Sequence, residues 1–294
     1  MLSSIPPAAL ALAAALLISA WALLSRRILK GKTDYLASGT LIEIVSTAFL
    51  AMTLLLLIPD FGSELHSLAA APPQAWLILL LSTANYTALI FLFYKANQTA
   101  EATERSVVNQ LQIPFALLLA SLFLSEPITA SSIIGAALII AGAIVCTYRP
   151  GMLHWKTEGI RLAAFAAILT GAASLADKLA LTRIPLVLYA IPLYIIPALL
   201  GLFWMGKNIA PRLSSAFSRN PFPIILAGVF SVASYLLYLL SLSQLPLSQV
   251  IVLFNTNVVL TAILGALILS EKGNWQQKLV GAVLAFIGAA LVAG

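Results

Sequence analysis

Charge is what this sequence has least of. Only 9% of its 294 residues are Asp, Glu, Lys or Arg, against 61% apolar. A water-soluble domain carries roughly 25% charged residues. There are too few here to cover a wetted surface, which excludes a soluble globular protein. Cysteine is nearly absent too. Cys146 is single and sits inside an apolar run, which excludes an intramolecular disulfide and offers no thiol site. The two histidines, His66 and His154, stand in separate short polar loops with no ligand cluster around either, so no metal centre is expected. Glycine-rich phosphate loops and nucleophile–base patterns are missing, and nearly all ionisable groups fall in loops. Neither a cofactor nor enzyme chemistry is expected.

The charge that is present is basic, with a net +6. Nucleic acid is nevertheless excluded as a partner, because the lysines and arginines lie between apolar runs, where membrane topology explains them. The first apolar run, 7–24, has no basic segment before it and is long enough to span. It reads as a membrane span and not as a cleavable leader.

A bilayer-spanning helix needs about 20 mostly apolar residues. Ten stretches meet that measure: 6–25, 39–58, 75–95, 105–124, 129–148, 160–181, 186–205, 222–242, 247–269 and 277–293. Turn and charge signals separate them, among them KGKTD at 30–34, PDFGSE at 59–64 and SEKGN at 270–274. Short connections make consecutive helices antiparallel neighbours. Hydrocarbon leaves only helices or closed barrels as spanning structures. A barrel would need alternating segments of about ten residues, and these runs do not alternate. The expected fold is an all-α integral membrane protein with ten transmembrane helices.

The sequence then repeats itself. LFLSEPITASSIIGAALIIAGAIV at 122–145 returns as LILSEKGNWQQKLVGAVLAFIGAALV at 267–292. Gly135 and Gly142 align with Gly281 and Gly288, and Ser82-x-x-Asn85-Tyr86 aligns with Ser231-x-x-Ser234-Tyr235. Two five-helix units follow, 1–150 and 151–294. Five crossings leave the chain on the other side, so the second unit is inserted upside down. Inverted-topology repeats of this kind occur in secondary transporters.

Ten helices in a five-plus-five repeat, with a Ser-Glu turn and a Gly-rich helix in each half, resemble the drug/metabolite transporter superfamily in its ten-helix EamA-like branch. The resemblance covers nearly the whole chain. It implies a small-molecule carrier or exporter with a central cavity, driven by a proton gradient or by exchange. Amino acids, other small metabolites, nucleotide sugars and drugs are among the substrates it implies. It also implies cytoplasmic termini, and here the charge pattern departs from it. Of the 16 Lys and Arg, only Lys178 and Arg183 fall on the side of the termini. Cytoplasmic loops are normally the basic ones, so both termini are expected outside a cell (inner) membrane.

Polar residues within spans mark candidate sites. Ser82, Asn85 and Tyr86 share a helix face, as do Ser231, Ser234, Tyr235 and Tyr238. Such faces build either a solute cavity or interhelical hydrogen bonds. Asn109 and Gln112 share a face in VVNQLQIPF, and Asn255 and Asn257 stand in VLFNTNVVL, Asn255 near the midplane. Amides donate and accept, which suits a polar or zwitterionic solute. Pro114 is expected to kink the fourth span. Trp21 is a further lining candidate. Glu43, one turn into the second span, either carries a proton for coupling or pairs with Arg27 or Lys30, the pairing being favoured. Glu101, Glu104 and Arg105 read as the solvated start of a helix, and Glu126 and Glu271 as turn residues. The glycine faces permit close packing within one subunit or between two, so monomer and homodimer both stand.

The function expected is secondary active transport, outward, of a small polar or amphipathic metabolite such as an amino acid, by alternating access. A lipid-linked-sugar flippase and a non-transporting scaffold or receptor are the alternatives.

Overall fold

In the computed structural model, residues 5–31, 33–57, 61–124, 129–149, 152–153, 157–245, 250, 253–268 and 274–293 are described. The helices are α1 (Pro7–Leu29), α2 (Tyr35–Leu57), α3 (Phe61–Ala69), α4 (Pro73–Ala96), α5 (Ala102–Asn109), α6 (Gln112–Leu124) and α7 (Ala130–Thr147). After them come α8 (Glu158–Leu181), α9 (Leu186–Met205), α10 (Ile209–Arg219), α11 (Pro221–Leu242), α12 (Asn257–Ile268) and α13 (Trp275–Ala293). A two-residue hairpin, β1 (Tyr148–Arg149) on β2 (Met152–Leu153), lies between α7 and α8.

Seven helical stretches among the described residues are long and apolar enough to cross a membrane: α1, α2, α4, α5 with α6, α8, α9 with α10, and α11. The remaining three sequence stretches fall on shorter apolar helices, Ala130–Cys146, Leu253–Gly265 and Trp275–Leu291. Ser125, Glu126, Ser270, Glu271 and His154 lie outside the described residues.

The fourth span is not one helix. It breaks at 110–111, between α5 and α6. Gln110, Leu111 and Ile113 donate backward by three residues, to Val107, Val108 and Gln110, a tightening of the helical turn. Pro114 supplies the reason. It lacks an N–H and would clash inside a continuous helix, but it is tolerated in the first turn of a new one. The kink expected at Pro114 is therefore a break just before it. A similar tightening occurs at Thr256, whose N–H donates to Leu253 just before α12. The sequence also reads α3 and α10 as loop. Both are short helices, α10 with a polar and an apolar face.

Helices pair across the two halves of the chain: α1 on α11, α4 on α8, α2 on α9 and α7 on α13. Exchanging the halves maps this set of pairs onto itself. The α7–α13 contact is antiparallel and built on glycine. A Cβ at Gly142 would meet the Gly281 carbonyl oxygen at 2.6 Å, and one at Gly288 would meet that of Gly135 at 2.5 Å. The thin faces are thus used within the subunit. Two large apolar clusters, one around Leu79, Tyr189 and Leu239 and one around Ile28, Ile42 and Phe91, both pack against Tyr86.

At one end of the bundle α10 is held by Arg212, whose Nε and Nη2 donate to the two oxygens of Asp34 at 2.7 and 2.8 Å. The guanidinium holds the Asp34 carboxyl below the usual carboxylate range. A depressed native value means the pair stabilises above the unfolded carboxylate range and is lost as pH falls through the native one. Because both side chains are about a third exposed, the effect is small, about 0–1 kcal/mol. Asp34→Asn is expected to speed proteolytic nicking near α10 at neutral pH, with little change in melting. Unchanged nicking would show that α10 is held by its apolar face alone.

Candidate functional site

Between the halves lies a cavity of about 190 Å³. It is walled by α1, α4, α8, α9 and α11, and the breaks at α5/α6 and before α12 open onto it. Eight of the sequence candidates reach it from the first-half helices and α11: Trp21, Ser82, Tyr86 and Gln112, with Ser231, Ser234, Tyr235 and Tyr238. Asn109, Asn255 and Asn257 reach it from the two breaks. A break presents polar side chains and loosened backbone to the cavity, where a continuous helix would present only its side chains.

Two candidates lie elsewhere. Asn85 does not line the cavity. Its Nδ2 donates to the Leu169 carbonyl at 2.8 Å, tying α4 to α8. Ser82 and Tyr86, on the same helix, do reach the cavity. Glu43 is also off the cavity and fully buried, 0% exposed. The Tyr94 hydroxyl donates to its Oε1. The favoured pairing of Glu43 with Arg27 or Lys30 is therefore corrected. Both of those residues are exposed, and the carboxylate turns inward to the tyrosine.

Charges that the sequence reading left out of the site stand at the two ends of the cavity. Arg105 is not solvated. It is 4% exposed, lines the cavity, and rests over the rings of Phe93 and Trp21 at 5.1 and 5.4 Å. Glu104 is likewise buried, and Glu101 forms an ion pair with the buried Lys278 of α13. The N-terminal end of α5 is covered by α13 and α8 packing on it, which is why acids and bases there are not in water. Toward the other end, Asp177 of α8 lines the cavity at 5% exposure. The hydroxyls of Tyr189 and Tyr235 donate to its Oδ1 at 2.6 and 2.9 Å. Asp177 lies about 28 Å along α8 from Glu158, whose ion pair with Lys95 marks the end nearer Arg105.

An aromatic wall joins these ends. Tyr86, Tyr194 and Tyr235 pack mutually at 5.5–6.2 Å, and Tyr235 stacks on Tyr238, which meets Phe254 at 5.1 Å. Trp21 Nε1, Asn109 Oδ1 and Asn255 Oδ1 are buried and find no partner among the described residues. Buried polar atoms in proteins are nearly always bonded, so these atoms offer groups for a solute or water. The Ser106 hydroxyl reaches Asn257 Oδ1 at 3.5 Å, linking the broken helix of one half to that of the other.

The EamA-like transporter family model matches the chain twice, over residues 6–148 and 157–294. The chain belongs to the EamA-like transporter family. It is thereby a member of the drug/metabolite transporter superfamily, a membrane protein of transporter type. No curated protein matches it. One solved crystal structure is 17% identical with a TM-score of 0.64, the match covering 97% of this chain and 95% of that one. At that identity the likeness shows the fold.

Proposed function

We propose that this EamA-like protein is a secondary active transporter that exports a small polar or amphipathic solute, such as an amino acid, by alternating access. The units 1–150 and 151–294 act as inverted five-helix repeats in a ten-helix bundle, and a proton gradient or solute exchange drives the cycle. The observation that carries this reading is the placement of both broken fourth helices, with Asn109 and Asn255, on one cavity between the halves. Broken helices at a repeat interface are where transporters bind solute. The pairing of helices that survives exchange of the halves supports the inverted repeat. Trp21, Ser82, Tyr86, Gln112, Tyr235, Tyr238 and Asn257 complete the solute site. The cavity suits a solute of a few non-hydrogen atoms to amino-acid size. The termini face outward across a cell (inner) membrane, following the basic loops.

The test is uptake of a labelled amino-acid and metabolite panel by proteoliposomes, with and without an imposed pH gradient. At least one panel member is expected to accumulate, and Asn255→Leu to reduce its flux by about tenfold or more, the worth of a lost buried polar contact. Flux that ignores Asn255→Leu in folded protein would move the site elsewhere. A reporter fused after Gly294 and active only in the cytoplasm would overturn the orientation.

A further inference from the structure

Of the acidic residues described, Asp177 alone lines the cavity. Its setting differs from that of a structural carboxylate. Both of its hydroxyl donors converge on Oδ1, and Oδ2 accepts no bond among the described residues. The groups facing it are aromatic and neutral: Tyr189 and Tyr194 from α9, Tyr235 and Tyr238 from α11. Lys178, next in sequence, lies about 100° round α8 and does not line the cavity. The cavity's lining cation, Arg105, is toward the other end. A carboxylate set among tyrosines has two ways to lose its charge in a low-dielectric site. It takes up a proton, or it takes a cation whose remaining surface lies against the rings. The two cannot bind at once.

Resting on the transporter reading, we propose that Asp177 Oδ2 is a shared site for a proton and for the ammonium group of the solute, so that solute binding at this carboxylate releases a proton. The tyrosine wall holds the apolar surface around the ammonium by cation–π contact. Glu43, sealed behind Tyr94 and away from the cavity, takes no part. Proton and solute then cross on alternate half-cycles, which gives exchange of one for the other. No bond between heavy atoms is made or broken. The proton leaves Oδ2 for water as the cation enters.

Tetramethylammonium is a suitable probe, since it has no proton of its own to exchange. Infrared spectra of the purified full chain, in detergent across the pH range, are expected to show a protonated-carboxyl band that titrates. Glu43, also buried, contributes a band of its own, so the Asp177 band is read in Glu43→Gln, where it should persist, and it should vanish when Asp177→Asn is added. Asparagine keeps the shape and an acceptor oxygen for Tyr189 and Tyr235, so the variant should fold. Asp177→Glu, which restores a carboxyl, is expected to restore a titrating band. At a pH where the band is present, tetramethylammonium chloride should bleach it and sodium chloride at equal ionic strength should not. One competing proton makes probe binding about tenfold weaker for each pH unit on the acid side. No titrating band that Asp177→Asn removes from the Glu43→Gln background, or bleaching of that band by sodium chloride alike, would each overturn the proposal. Failure of the transport reading is separate: it would appear as no flux in proteoliposomes while bleaching by the probe remained.

Discussion

Gly142→Leu is expected to prevent α7 and α13 from closing, and to leave no monodisperse protein after detergent extraction. The physical reason lies on both sides of the contact. A Cβ at Gly142 alone would come within 2.6 Å of the Gly281 carbonyl oxygen and 2.9 Å of the Ala285 nitrogen. Both are backbone atoms, so no rotamer change relieves the clash. Gly281 is confined reciprocally, by the Gly142 carbonyl at 2.7 Å and by Cys146. In hydrocarbon, helices associate through close packing and not by escaping water, and small residues make that approach possible. One added methyl in a packed core costs about 1–3 kcal/mol, so Gly142→Ala should survive with a lowered melting midpoint. Leucine adds three further carbons in the same place, and the loss becomes a large share of the roughly 5–15 kcal/mol that holds a protein together. Ala137→Leu, on the exposed side of the same helix, should melt like the wild type. If Gly142→Leu elutes and melts unchanged, α7 and α13 do not meet at these glycines.

A close approach at these glycines was legible in the sequence, because two glycines seven apart occur twice; whether it joins helices within one subunit or between two was not. The polar faces of α4 and α11 were legible for a similar reason, since a hydroxyl and a tyrosine recur at helical spacing in each half. What the sequence does not mark is direction. These helices are apolar around most of their circumference, so no amphipathic stripe says which polar residue faces the cavity. Asn85, one position from Tyr86, turns to a backbone carbonyl of α8 instead. Arg105 and Asp177 were hidden by their position near the ends of spans, where charge ordinarily means water. Only the packing of α5 under α8 and α13 makes that end dry. Tyr189 and Tyr194 are ordinary in an apolar helix until Asp177 and Ser231 are placed opposite them, the latter accepting from the Tyr194 hydroxyl at 3.2 Å. The break at 110–111 had a visible cause in Pro114, but proline permits either a kink or a new start. Which one occurs depends on whether the freed backbone groups find a wet cavity to face.

The second large effect is expected at the ion pair between the buried Lys278 and the half-buried Glu101. Lys278 belongs to α13 and Glu101 caps α5, so the pair ties one half to the other beyond Arg105, at one end of the cavity. Arg26, also buried, adds a bond to the Asn97 carbonyl nearby. An opening toward this end that separates the halves would part Lys278 from Glu101. Removing one partner of a fully buried pair costs about 3–5 kcal/mol; Glu101 keeps 24% exposure, so Lys278→Met is expected to cost less than that, while lowering the melting midpoint and reducing transport. Replacing both, Lys278→Gln with Glu101→Gln, removes the stranded charge and should recover much of the stability. It should not recover the closed end. A shift of about 1.4 kcal/mol toward the open arrangement is tenfold in population, read as a tenfold faster reaction of Ser106→Cys with an impermeant thiol reagent added from the basic-loop side, in a Cys146→Ser background. Two results would count against the pair as a closing contact. One is labelling in the double variant at the wild-type rate. The other is Lys278→Met retaining full stability, which would mean that Glu101 is better served by its capping bonds to α5 than by the lysine.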